Sequence, residues 1–232
     1  MIDEVTKHSR RIYKTLKTPR KQFVEKIKEV VIEIFIIVFS VTLSIWLHSW
    51  SQHRHEQKEV MEFLVDLKDD LNKDIKSMSD KQAQMSETIK QYSYLKNLTE
   101  EQIDSLSNNN ARIETDLIYV IRKTNNGNYE SFKSSGKIGY IENKKLKRMI
   151  VEYYQESMPA IDETEKYINL RLGKIEELIY QDKDKKKKLL DPVLKISLDV
   201  VIQTAQNNMN NYISISESAK GIIAEINKEE KE

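Results

Sequence analysis

Residues Val30 to Trp50 read VVIEIFIIVFSVTLSIWLHSW, an apolar run of 21 residues whose polar members are Glu33, Ser40, Thr42, Ser44, His48 and Ser49. A hydrocarbon core of about 30 Å takes roughly 20 residues of helix to cross. The run is therefore expected to be a transmembrane helix. Its apolar part is too long for a signal peptide, and Ser51-Gln52-His53-Arg54 offers no small-residue cleavage site.

Outward from that run, the flanks are unequal. Lys7, Arg10, Arg11, Lys14, Lys17, Arg20, Lys21, Lys26 and Lys28 precede it, whereas only Arg54, Lys58 and Lys68 fall in the twenty residues that follow. Basic residues close to a span mark its cytoplasmic side. The expected topology is a basic cytoplasmic tail and juxtamembrane helix (residues 1–29), a span (30–50) and an extracytoplasmic domain (51–232). That places the protein in a bacterial inner membrane with its C-terminal domain periplasmic. Trp46 and Trp50 sit where aromatic rings anchor at the headgroup level. Thr18-Pro19 reads as N-cap and first helical residue, and the tail before it is basic enough to meet anionic lipid heads.

The rest of the chain is built for helices. Five Gly and three Pro in 232 residues leave few breaks, and 32% of residues are charged. Net charge divides into about +5 for residues 1–29 (nine basic, four acidic) and about −3 for 51–232 (29 basic, 32 acidic). No basic face on the outer domain suggests nucleic-acid binding. Zero Cys excludes disulfides and thiol chemistry.

From Val60 the apolar residues step by threes and fours through Leu64, Leu67, Leu71, Ile75, Met78, Met85, Ile89, Tyr92 and Leu95, with a polar slip at Gln82. Such a narrow stripe is the seam of a coiled-coil-like helix. Thr99-Glu-Glu-Gln102 is a capping box that starts a short helix ending at Asn108. Further helices are expected over 111–123, 129–135 with Gly136 as stop, from about 143 to a break or new start at Pro159, over 160–190, and from Pro192 to the C-terminus. Nothing alternates as a strand does. The fold class is all-α, one N-terminal transmembrane helix followed by an elongated antiparallel helical bundle. Its seams are diluted by polar residues, so self-association as a homo-oligomer or within a larger membrane complex is expected.

Two segments carry a family resemblance. One is Glu33 through Trp50, an acid opening an apolar span that closes on Trp, followed by Leu64, Leu67 and Leu71. The other is Tyr129-Glu-Ser-Phe-Lys-Ser-Ser-Gly136-Lys-Ile-Gly-Tyr-Ile141-Glu-Asn-Lys-Lys-Leu146, continuing to Glu152-Tyr153-Tyr154. In that order they resemble a family of small Bacteroidetes membrane proteins designated a domain of unknown function, over most of residues 30–155. The span departs from the family pattern, which has a small Gly near Ser40 and Asn near His48 and Ser49. The resemblance implies an anchor with helices and brings no activity.

Candidate chemistry is sparse. Glu33 lies about one turn inside the run, where an acid is either a proton site, as in stator-type subunits, or a headgroup-level residue beside Lys26 and Lys28. His48, His53 and His55 lack the three-or-four spacing of a zinc pair. Ser134-Ser-Gly136-Lys137 is no phosphate loop, because Ser131 stands where the first Gly belongs. Lys185–Lys188 suit a helix end. Tyr92, Tyr94, Tyr153, Tyr154, Tyr167 and Tyr212 read as core edge with wet hydroxyls. Every His precedes residue 56, so no Ser-His-Asp set forms. Neither catalytic residues, cofactor nor metal are expected. The expected function is a non-enzymatic scaffold or accessory subunit of an envelope complex. The alternatives are a ligand-sensing bundle and a stator-like subunit using Glu33.

Overall fold

The computed structural model describes residues 23–108, 119–180 and 185–231. Among these residues every regular element is helical. They are α1 (Phe23–Asn97), α2 (Glu100–Asn108), α3 (Gly127–Ser134), a 3-10 turn (Lys137–Tyr140), α4 (Lys144–Glu152), a π segment (Tyr153–Ser157), α5 (Met158–Tyr180), α6 (Lys185–Leu189) and α7 (Pro192–Glu229). The chain forms two units, residues 1–58 and 59–232.

Within the first unit, the apolar part of α1 is largely exposed among the described residues. Its most apolar 18-residue window has a mean hydropathy of 2.5 and no buried residue. Phe35, Ile45 and Trp46 are each about three-fifths exposed, at 66%, 62% and 60%. Ser40 and Thr42 donate their hydroxyls to the carbonyls of Ile36 and Val38, at 2.7 and 2.6 Å. Bonds of this kind leave no free donor where water is scarce. This is one helix long and apolar enough to cross a membrane.

The second unit is an antiparallel bundle around one core. Buried positions step by threes and fours on each long helix: Leu64, Leu67, Leu71, Asp74 and Met78 on α1, Met158, Ile161, Glu165, Ile168 and Leu172 on α5, Leu198, Val201, Ala205, Asn208 and Tyr212 on α7. Lys68 reaches Asn227 and Glu230, while Lys96 pairs with Asp199, so α7 runs antiparallel to α1. Glu165 of α5 accepts from Tyr212, and Met149 of α4 lies against Gly221, so the run from α4 through the π segment to α5 is antiparallel to α7 in turn. Ile75, expected on the seam, is only half-buried; the residue at the buried step is Asp74, 1% exposed.

Local signals set the ends. The capping box forms as expected, Thr99 N–H donating to Gln102 (2.9 Å) and Gln102 N–H to the Thr99 hydroxyl (3.3 Å). Asn143 accepts from Lys145 and Leu146 N–H, and Asp191 caps α7 by accepting from Val193 N–H ahead of Pro192. Gly136 takes φ 76°, the left-handed stop after α3.

One expectation fails. The helix over 111–123 is not formed at 119–123, which has no regular secondary structure; residues 111–118, like Thr18-Pro19, lie outside the described residues. At Pro159 the new start is the outcome: α5 begins at Met158, directly after the π segment, and Met158 N–H donates five residues back to the Tyr153 carbonyl. One extra residue in the turn lets the chain pass a residue that has no N–H to give. Of the expected helix over 160–190, α5 runs to Tyr180 and α6 covers Lys185–Leu189, while residues 181–184 lie outside the described residues.

Candidate functional site

Residues 119–126 form a strap without regular secondary structure, held by side chains of α1, α5 and the π segment. Asn169 on α5 reads the Val120 backbone with both ends of its amide, accepting from Val120 N–H at 2.8 Å and donating to Val120 C=O at 2.7 Å. Gln84 on α1 donates to the Tyr119 carbonyl (3.2 Å), and the Tyr119 hydroxyl donates to Glu176 (2.6 Å). Side chains alternate along the strap: Val120 is 4% exposed, Ile121 77%, and the Arg122 side chain 1%.

Arg122 places a buried guanidinium in the bundle. Its Nε donates to Glu165 at 3.0 Å, Nη2 pairs with Asp162, and Nη1 lies 3.4 Å from the Thr124 hydroxyl. Glu165, buried at 6%, also accepts from the Tyr212 hydroxyl at 2.7 Å. A second buried carboxylate, Asp74, accepts from Asn125 (2.9 Å) and from the Tyr153 hydroxyl (3.0 Å). Burial is the largest influence on Asp74 and lifts its pKa above the ordinary carboxylate value, with the two hydrogen bonds and the Arg122 charge opposing. Burial likewise pushes the Tyr153, Tyr154 and Tyr212 phenols far up. These groups are bonded to one another, the arrangement of a structural tether. The Tyr153 and Tyr212 hydroxyls are not wet, as the sequence suggested, but spent on buried carboxylates.

Beside the tether, the π segment forms one wall of an open cleft of about 570 Å³. Met149, Glu152, Tyr153 and Ser157 face Ser214, Glu217, Ser218, Gly221 and Ile222 of α7 across it. A smaller groove of about 310 Å³ lies beside Lys137, which pairs with Glu59 at 2.8 Å, and is lined also by Phe63 and Phe132. Those two rings stack at 4.0 Å.

The residues singled out from sequence do not converge. Glu33 is half-buried in the apolar run of α1, and Trp46 and Trp50 are exposed there, with the Arg54 guanidinium 5.0 Å from the Trp50 ring. Leu64, Leu67, Leu71 and Met78 are fully buried seam residues. Among the described residues, no group of three or more His, Asp and Glu could hold a metal ion. Lys186 of the lysine run pairs with Glu100 and Asp104 of α2. Sequence reasoning missed Asp74, Arg122, Asn125, Glu165 and Asn169. A signal existed for two of them: Asp74 and Glu165 stand at three-or-four steps on otherwise apolar stripes.

Fold and site together define a class, an all-α protein with one helix able to span a membrane and a bundle locked by buried polar contacts. Residues 33–177 match the Family of unknown function (DUF6090), and the chain belongs to that family. The match begins within the apolar run and ends in α5, taking in the strap and the π segment. No curated protein and no solved structure matches the chain.

Proposed function

We propose that the protein is a membrane-anchored, non-enzymatic helical scaffold or accessory subunit of a bacterial envelope complex, of the Bacteroidetes type that its sequence resembles. The observation that carries the reading is the makeup of α1. One helix holds an unburied apolar run and, further along, a seam whose residues fill a bundle core. The polar groups at the centre of that bundle are committed to one another rather than presented to a substrate. The basic flank before Val30 favours an inner-membrane span with the N-terminus in the cytoplasm and residues 51–232 in the periplasm. Exposed, charged helix faces then serve as the surface for other subunits or further copies.

Native mass spectrometry of the protein drawn from its own membrane in mild detergent tests this. Expected is a whole multiple of 27.4 kDa or a larger mass that includes a partner; a lone monomer overturns the scaffold reading. The cleft at the π segment favours a second reading, a ligand-sensing bundle, since π turns recur at functional sites. In that case a small molecule raises the melting temperature of the protein. A metabolite screen with no such shift ends it.

A further inference from the structure

We propose that the groove between α1 and α5 is a recognition site for an extended peptide segment of a partner protein, closed in this structure by the chain's own strap. The inference rests on the scaffold reading and names its surface.

The strap is held as a bound peptide is held. Among the described residues, no backbone–backbone hydrogen bond involves residues 119–125; the first falls at Asn126, whose carbonyl accepts from Glu130 N–H. Part of its main chain is bonded instead by side chains of other elements, Asn169 to the N–H and C=O of Val120, Gln84 to the Tyr119 carbonyl, and the Tyr154 hydroxyl 3.4 Å from the Asn125 carbonyl. Backbone bonds of this kind are indifferent to the peptide's side chains and supply affinity, while pockets for alternate side chains supply selectivity. Here the pockets take an aliphatic residue (Val120), skip one (Ile121), and take an arginine (Arg122) between Asp162 and Glu165. Three residues on, an asparagine reaches Asp74.

The groove is therefore acidic at its base and demands a planar cation; lysine in that place would lose the fork that meets two carboxylates. The ligand class follows: an extended segment with an aliphatic residue, any residue, then arginine. In cis the strap meets that description, so it competes with any such segment offered by a partner.

The test uses the full chain in detergent with Arg122→Ala, which loosens the strap from the groove. A fluorescein-labelled peptide with the sequence of residues 119–126, Tyr-Val-Ile-Arg-Lys-Thr-Asn-Asn, is titrated by anisotropy. Expected is saturable binding at least tenfold tighter than to the unaltered chain, and at least tenfold weaker when the peptide arginine is alanine or when Asn169→Ala is added to the protein. No saturable binding, or equal binding of the arginine-free peptide, overturns the proposal. Should Arg122→Ala fail to fold, Asn125→Ala frees the strap more gently, and the same titration applies with the same outcomes. Binding that also splits an oligomer into monomers would give the groove to a second copy's strap and overturn the assignment to a different protein. A lone monomer in the native mass with peptide binding intact would sink the scaffold reading alone, whereas a partner or oligomer without peptide binding would sink only the groove.

Discussion

Asp74 and Arg122 show how much one buried charge can govern. An acid whose pKa is higher folded than unfolded binds its proton more tightly in the folded state. Stability attributable to Asp74 is then fully present below the ordinary carboxylate pKa of about 3.9 and declines as pH rises through the elevated folded value. Expected is a melting temperature with a downward component over that window, absent in Asp74→Asn; an identical pH profile in the variant would refute it. Removing the Arg122 cation leaves Glu165 buried beside Tyr212 with its charge uncompensated. Arg122→Ala should cost about 3–5 kcal/mol, read as a lower urea midpoint with an unchanged slope. Gly136 supplies a purely backbone case. Its φ is 76°, and a Cβ there would meet nothing within 4 Å, so Gly136→Ala should cost ~1–2 kcal/mol through conformation alone. Gly136→Asn should recover part of the loss, since Asn enters the left-handed region more readily. None of these residues announces its role by type. Gly136 was legible because it follows a short helical pattern, while Arg122 was not, because its two acids lie 40 and 43 residues away.

Among the elements, α7 carries the clearest anomaly. Asn208 occupies a buried step between Ala205 and Tyr212, is 1% exposed, and among the described residues neither its amide nitrogen nor its oxygen has a partner. A buried amide left unpaired costs about 1–3 kcal/mol. Asn208→Leu should therefore raise the denaturation midpoint, by something on the order of 1 kcal/mol or more. A loss of stability would show that the amide is satisfied by a buried water. The stripes of α1, α5 and α7 were readable as helices from their spacing, and so were the capping box at Thr99 and the start at Pro192. The strap was not. Val120 and Ile121 suit one face of a helix as well as they suit alternation, and local propensity cannot rank the two when side chains of another helix supply the backbone's hydrogen bonds. Pro159 was readable as a new start, since α5 begins at Met158, but the π turn that leads into it was not.

For the whole molecule, absence of cysteine makes topology directly measurable. Single cysteines at Ser9 and at Glu87, an exposed side chain on α1, should label differently with a membrane-impermeant maleimide in spheroplasts. Glu87→Cys reacts at once, Ser9→Cys only after lysis; the reverse pattern would overturn the proposed orientation. The sequence by itself determined that the chain is helical, that one run is apolar enough to span a membrane, and which faces of the long helices turn inward. Those properties depend on neighbours within a turn or two, where hydrophobic period and missing Gly and Pro act directly. Only the tertiary structure decided which charges are buried, that residues 119–126 lie without regular secondary structure, and that a π turn carries the chain past Pro159. The first two depend on partners supplied by a helix dozens of residues away, and the cost of burying a charge or an unpaired backbone group is set by that partner, not by the local sequence.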